Sequence, residues 1–225
     1  MNAPTPAAVL FDMDGTLIDS EPYWIEEETA LVHAFGGTWS HEDALSLVGN
    51  GLWDSAAVLQ SRGVDLTADE IVERLVNGVL GRIRDEVPWL PGAQELLRSV
   101  RDAGVPTALV TMSTRDLAEV VADAIPFPAF DTLVTGDDVP QPKPHPAPYL
   151  TAAERLGVDI ERCIAIEDSV PGVTSAVASG ALTIGVPLHS TLDEDAGHVR
   201  WNGLAGRTID DLAELISART TGALR

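Results

Sequence analysis

Two aspartates, Asp12 and Asp14, follow a short apolar run in the segment Phe11-Asp12-Met13-Asp14-Gly15-Thr16. Residues two apart on extended chain point the same way, so both carboxylates can face one ligand. Gly15 lets the chain turn beside them without a steric penalty. Capping or turn formation would also account for an isolated Asp-x-Asp, so its neighbours in the fold must decide. Three further segments carry chemistry-bearing residues: Thr111-Met112-Ser113, Lys143 within Pro142-Lys143-Pro144, and Glu167-Asp168. The hydroxyls of Thr111 and Ser113 lead into a helical stretch, whose first amides suit an anion. Two adjacent acids leaving an apolar strand are costly unless a cation neutralises them. Oxygen donors of that kind suit Mg²⁺.

Each of these segments ends an apolar run with the composition of a buried strand: Ala8 to Phe11, Thr107 to Val110, Thr132 to Val134 and Cys163 to Ile166, with Leu182 to Val186 as a fifth. Continuous apolar runs belong to parallel sheets covered on both faces. Helix-period stretches alternate with them at Ala93 to Ala103, Arg115 to Ala124, Pro146 to Leu156 and Gly172 to Ser179. The expected fold is therefore α/β, a doubly wound parallel sheet, with the reactive residues gathered at its carboxyl edge. The alternation breaks once. Between residues 20 and 87 no strand is expected, and Trp24 to Phe35, Asp54 to Arg62 and Ala68 to Arg84 carry helical periodicity. That is too long for an ordinary crossover. The expected organisation is a core domain of residues 1–19 and 88–225 with an inserted helical cap over 20–87, closed by the Pro88-Trp89-Leu90-Pro91-Gly92 segment.

Composition narrows the partners. A net charge of −21 disfavours nucleic acid and anionic membrane surfaces alike. No apolar run approaches the roughly 20 residues needed to span a bilayer. The first residues lack a basic segment and lead straight into a strand-like run. A single cysteine, Cys163, excludes an internal disulfide and fits a cytoplasmic protein. A monomer acting on a small molecule is expected. Thirteen arginines stand beside one lysine, which marks Lys143 as a place where a compact ammonium is needed and a planar fork does not fit.

The run FDMDGTLIDSE, the Thr111 to Ser113 segment, Lys143 between its prolines, and IEDSVPG together resemble the four motifs of the haloacid dehalogenase-like hydrolase superfamily. The helical insertion resembles its C1 cap, and the branch resembled is that of phosphoglycolate phosphatase and β-phosphoglucomutase. The resemblance spans nearly the whole chain. It implies that Asp12 is the nucleophile on phosphorus and Asp14 the acid and base. It further implies that Thr111, Met112, Ser113 and Lys143 hold the phosphoryl group. Mg²⁺ would be bound by Asp12, the Asp14 carbonyl and Asp168, with Glu167 as a ligand or outer partner. Glu21, Asn50 and Gly51 are the candidates for substrate contacts from the cap.

The expected activity is Mg²⁺-dependent hydrolysis of a small phosphorylated metabolite through an aspartyl-phosphate. A haloalkanoate dehalogenase would need no metal and would lack the acid at Asp14. A Schiff-base phosphonatase would need a cap lysine, and residues 20 to 90 contain none. A sugar-phosphate mutase would need a basic cap residue; Gly49-Asn50-Gly51-Leu52-Trp53 offers none, leaving Arg62 only if its helix turns inward. A non-catalytic binding protein would have lost a catalytic residue, and none is missing. His33, His41, His189 and His198 form no ligand pattern, His145 is near the candidate site only in sequence, and Trp24, Trp53 and Trp89 are expected to pack.

Overall fold

The computed structural model describes residues 5–193 and 196–224. Six parallel strands form one sheet: β1 (Ala8–Phe11), β2 (Thr107–Val110), β3 (Thr132–Val134), β4 (Cys163–Glu167), β5 (Leu182–Gly185) and β6 (Val199–Arg200), in the order β3-β2-β1-β4-β5-β6. β1 lies at the centre, between β2 and β4. Its neighbours are therefore the strands that deliver the other two acids and the two hydroxyls.

Nine helices complete the chain among the described residues: α1 (Glu21–Ala34), α2 (His41–Leu45), α3 (Leu52–Ser61), α4 (Ala68–Asp85), α5 (Ala93–Asp102), α6 (Arg115–Asp123), α7 (Ala147–Leu156), α8 (Val170–Ser179) and α9 (Ile209–Thr220). The strand residues alternate between the two faces of the sheet, as the period of two requires. Val9, Phe11, Leu109, Ile164 and Ile166 share one core with residues of α5, α6 and α9. Ala8, Leu10, Ala108, Cys163 and Ala165 face the other, with Tyr149 and Ala152 of α7 and Ala176 of α8. The alanines and Cys163 of that second face leave room for one large ring, Tyr149.

The interruption read from the sequence is present. α1 to α4 follow β1 without an intervening strand, and their apolar residues join the larger core continuously. Three elements had no counterpart among the expected ones: α2, β6 and α9. The expected strand at Leu182 to Val186 stops at Gly185, and β4 runs one residue beyond its apolar part to include Glu167. A carboxylate ends a buried strand there because it has buried partners of opposite charge and of hydrogen-bonding capacity, described below.

The return from the insertion to the sheet is set by Gly92. Its φ is +86°, and a Cβ there would lie 2.4 Å from the backbone of Leu204 and Ala205. Gly92→Ala therefore meets both a left-handed backbone and an immovable neighbour. It should lower the unfolding free energy by about 2 kcal/mol or more, read as a shifted urea midpoint with an unchanged slope.

Candidate active site

β1 and β4 pair with Phe11 opposite Ile166, so the next pair along the two strands is Asp12 and Glu167. Two carboxylates are thus placed side by side at the carboxyl edge of the sheet, one 5% exposed and the other fully buried. The ammonium of Lys143 lies between them, donating to Asp12 Oδ1 at 2.7 Å and lying 2.6 Å from Glu167 Oε1. Its remaining donor goes to the Val110 carbonyl at 2.9 Å. Three donors meet three acceptors, and nothing is left over. The backbone N–H of Lys143 donates to Met112 Sδ at 3.3 Å, tying the proline-flanked segment to the end of β2. Tyr149 also donates its hydroxyl to Glu167 Oε1, and its ring lies 5.5 Å from the ammonium.

Asp168, the next residue, is buried against Gly15. A Cβ on Gly15 would lie 2.2 Å from Asp168 Oδ2. Gly15 is needed there twice over, for its φ of +82° and for that close approach. Asp14 is held by hydroxyls rather than by charge. Its Oδ2 accepts from Ser113 at 2.8 Å and from Thr111 at 3.2 Å, and its Oδ1 accepts from Ser20. The two hydroxyls expected at the phosphate are thus turned on Asp14. Ser20, within the first motif run but given no role from the sequence, completes the set.

Oxygens from Asp12, Glu167 and Asp168 lie within 4.8 Å of one another. Of these, Asp12 Oδ2, Glu167 Oε2 and Asp168 Oδ2 are buried without a hydrogen-bond partner. Three acids face one ammonium, and burial magnifies the imbalance. Desolvation and the neighbouring Glu167 push the Asp12 carboxyl up to about 7 despite the pull of Lys143. Burial, then Asp12 and Glu167, push Asp168 well above the carboxylate range. The same pair of acids holds Lys143 above its ordinary value against the opposing effect of burial. Unpaired hard oxygens with a shared negative excess fit a divalent cation.

Above this edge lies a cleft of about 650 Å³ of empty space, open solvent included, which α1 and α3 wall from the insertion. Asp12, Asp14, Thr111, Met112, Ser113, Lys143 and Asp168 line its floor, while Glu21 and Asn50 line its wall. Gly51 does not line it among the described residues; it packs against Pro142, and Gly49 takes the lining position. Glu167 lies below the floor, sealed by Tyr149. Arg62 faces away, paired with Asp43 at 2.6 Å and set over the Trp39 ring. Trp24 lines the cleft, whereas Trp53 is exposed and donates to Asp69. Cys163 is buried, its thiol pushed up to about 12 by burial. His189 pairs with Asp19 at 2.6 Å.

The haloacid dehalogenase-like hydrolase family profile matches residues 6–180, and the chain belongs to that family of enzymes. Hexitol phosphatase B of Escherichia coli O157:H7 is 31% identical over 219 residues, covering 91% of this chain and 96% of that protein. Pyrophosphatase PpaX of Bacillus pumilus is 32% identical over 189 residues, covering 83% and 85%. The crystal structure of β-phosphoglucomutase from Clostridium difficile shares the fold, with a TM-score of 0.84 at 20% identity over 96% of this chain and 99% of that one.

The geometry has two measurable consequences. Burial pushes Glu21 and Glu28, both on the cleft wall, up to about 8 from an ordinary 4.5. The folded protein then holds protons that the unfolded chain releases. Stability is fully present below pH 4.5 and declines as pH rises towards 8. Thermal melting in chelator should show Tm falling across that window, and a Tm that rises there would contradict the burial of these acids. Lys143→Arg keeps the charge but cannot fit a fork among three fixed acceptors. Its kcat/KM should fall by about 10²-fold or more, and a value within a few-fold of wild type would show that any cation serves.

Proposed function

We propose that this chain is a Mg²⁺-dependent phosphatase acting on a small phosphorylated metabolite, a sugar or polyol phosphate, phosphoglycolate or a similar monoester. The observation that carries the reading is the pairing of two differently held aspartates. Asp12 is gripped by an ammonium at one oxygen and left free at the other, while Asp14 is steered by three hydroxyls. One is set up to attack and the other to move a proton.

Asp12 attacks phosphorus, forming an Asp12–phosphorus bond as the bond to the leaving oxygen breaks. Asp14 gives its proton to that oxygen. In the second half Asp14 takes a proton from water, the water oxygen bonds to phosphorus, and the Asp12–phosphorus bond breaks. Lys143 keeps Asp12 oriented and offsets phosphoryl charge; Thr111 and Ser113 hold Asp14 in position. Mg²⁺ held by Asp12, Asp168 and the Asp14 carbonyl would supply the positive charge that lets a phosphate dianion enter an acidic site. Glu167 acts through Lys143, beneath the metal site. Its full burial and its bond to Tyr149 support that place.

The same residues also fit a phosphosugar mutase, but the cleft wall supports hydrolysis. A mutase must hold a second phosphate, and Arg62, the basic candidate, points outward. The proposal extends to a cytoplasmic monomer with no nucleic-acid or membrane partner. The net charge disfavours nucleic acid and anionic membrane surfaces, the single cysteine fits the cytoplasm, and no described helix is long and apolar enough to cross a membrane.

Asp12→Asn should remove turnover and the acid-stable phospho-adduct on the Asp12 peptide, because an amide is a poor nucleophile. Asp14→Asn should cost about 10²- to 10⁴-fold in kcat. Acid-quenched mass spectrometry locates the adduct; phosphate on a serine or histidine would refute the scheme. Exhaustive chelation should abolish phosphate release and added Mg²⁺ restore it.

A further inference from the structure

In the phosphatase reading Asp14 carries the proton for the leaving oxygen, and the role of Asp137 rests on that reading. Asp14 is aimed by a loop: Ser113 and Thr111 both donate to its Oδ2, at 2.8 and 3.2 Å. The Ser113 N–H donates to Thr111 Oγ1 at 3.0 Å, so the two hydroxyls form one unit. That loop then runs through Thr114 into α6. Thr114 has the extended backbone of an N-cap, with φ −69° and ψ 159°, and a residue type that suits the position. It nevertheless makes no cap bond, and its buried Oγ1 has no partner. The cap comes from another segment. Asp137, in the turn Gly136–Asp138 that follows β3, accepts the Arg115 N–H at its Oδ2 at 2.7 Å. The Gly136 N–H donates to the Ser113 carbonyl at 3.0 Å.

These two bonds grip the chain on either side of Thr114. The Arg115 guanidinium adds a third hold, pairing with Asp138 Oδ2 at 2.5 Å. That oxygen also accepts the Thr135 N–H at 2.9 Å, at the end of β3. Gly136 lets the turn come so near, since a Cβ there would lie 2.5 Å from the Met112 carbonyl oxygen. A cap supplied by Thr114 would have satisfied the helix and left the Thr111 and Ser113 hydroxyls tied to β2 alone. The borrowed cap ties them to β3 as well. We infer that Asp137 is a positioning residue for the acid–base step. Through the Arg115 N–H and Ser113, it fixes the direction in which the Asp14 carboxyl presents its proton. Asp137 itself is exposed and does not line the cleft, so it acts at one remove.

Phenyl phosphate and para-nitrophenyl phosphate differ in how much they need that proton. Phenolate leaves poorly unless it is protonated, whereas para-nitrophenolate, a far weaker base, needs little help. The ratio of kcat/KM for phenyl phosphate to that for para-nitrophenyl phosphate therefore reads the aim of Asp14, and Asp14→Asn should lower it. Asp137→Ala should cost about ten-fold on phenyl phosphate and no more than about three-fold on para-nitrophenyl phosphate, so that the ratio falls by about three-fold or more. Asp137→Asn keeps the acceptor and should hold the ratio within about two-fold of wild type. Should Asp137→Ala fail to melt cooperatively, Arg115→Pro gives the second measurement. Proline is tolerated at the first helical position and removes the same N–H, so the ratio should again fall by about three-fold. An unchanged ratio in Asp137→Ala, even with equal losses on both esters, would leave Asp137 a helix cap alone and overturn the inference. So would an equal fall in Asp137→Asn, which would trace the effect to charge, or an unchanged ratio in Arg115→Pro. In those cases Asp14→Asn still lowers the ratio and the phosphatase reading stands. If wild type releases phosphate from neither ester, or Asp14→Asn leaves the ratio unchanged, both fall together.

Discussion

The Lys143 ammonium holds the active edge together. Parallel pairing of β1 with β4 sets Asp12 beside Glu167 regardless of what the two residues are, because register is fixed by the apolar positions preceding them. Two ionised carboxylates so placed and buried would repel at short range in a medium of low polarity. Removing the ammonium would leave both uncompensated, a change of the kind that costs about 3–5 kcal/mol. The three acceptors around Nζ come from three different strands, β1, β2 and β4. One side chain thus locks the central part of the sheet edge, and folding of that edge and assembly of the site become the same event.

The lock is incomplete, and that incompleteness is its use. Lys143 neutralises one charge of three, and the oxygens it does not reach, on Asp12 and Asp168, face the cleft floor. A second lysine would settle the balance and leave nothing for a cation to do. Asp14 is kept outside this charge network by being tied to hydroxyls of Ser20, Thr111 and Ser113. Hydroxyls can rotate to serve either protonation state of a carboxyl, where an ammonium would favour only the ionised one. That manner of holding suits the proton-transfer role proposed for Asp14.

How much of the fold and the site is legible in the sequence depends on whether a residue's role is local. The strands β1, β2, β3 and β4 and the acids that end them are legible, because apolar runs and adjacent carboxylates are contiguous patterns. α9 carries a helix signature too, with Thr208 and Asp211 capping its start and Leu212, Leu215 and Ile216 on one face, although the expected elements stop short of it. β6 has two residues and no pattern to read. Tyr149 is out of reach: it sits on the apolar face of α7, and only the pairing of distant segments brings it to Glu167. Glu28 looks, beside Glu21, like one more acid favouring a helix start. Seven residues in, that reason no longer holds, and its place on the buried face was the available signal. Gly51 and Gly49 look alike as glycines two apart until a partner, Ser169 against Gly49, distinguishes them.

The floor of the cleft and its wall are carried by different parts of the chain. Asp12, Glu167 and Asp168 lie at strand ends, where a one-residue shift would rotate them to the opposite face of the sheet. They are also coupled, since Asp12, Lys143, Glu167 and Tyr149 form one hydrogen-bonded chain, so a change in one disturbs all. Glu21, Glu28 and Ser55 stand on helices of the insertion, share no hydrogen bond with the floor, and face it across the cleft. The wall is still coupled to the floor by charge: Asp14 adds to the burial that pushes the Glu21 carboxyl up, and Glu21 in turn adds to the effects that push up Asp168.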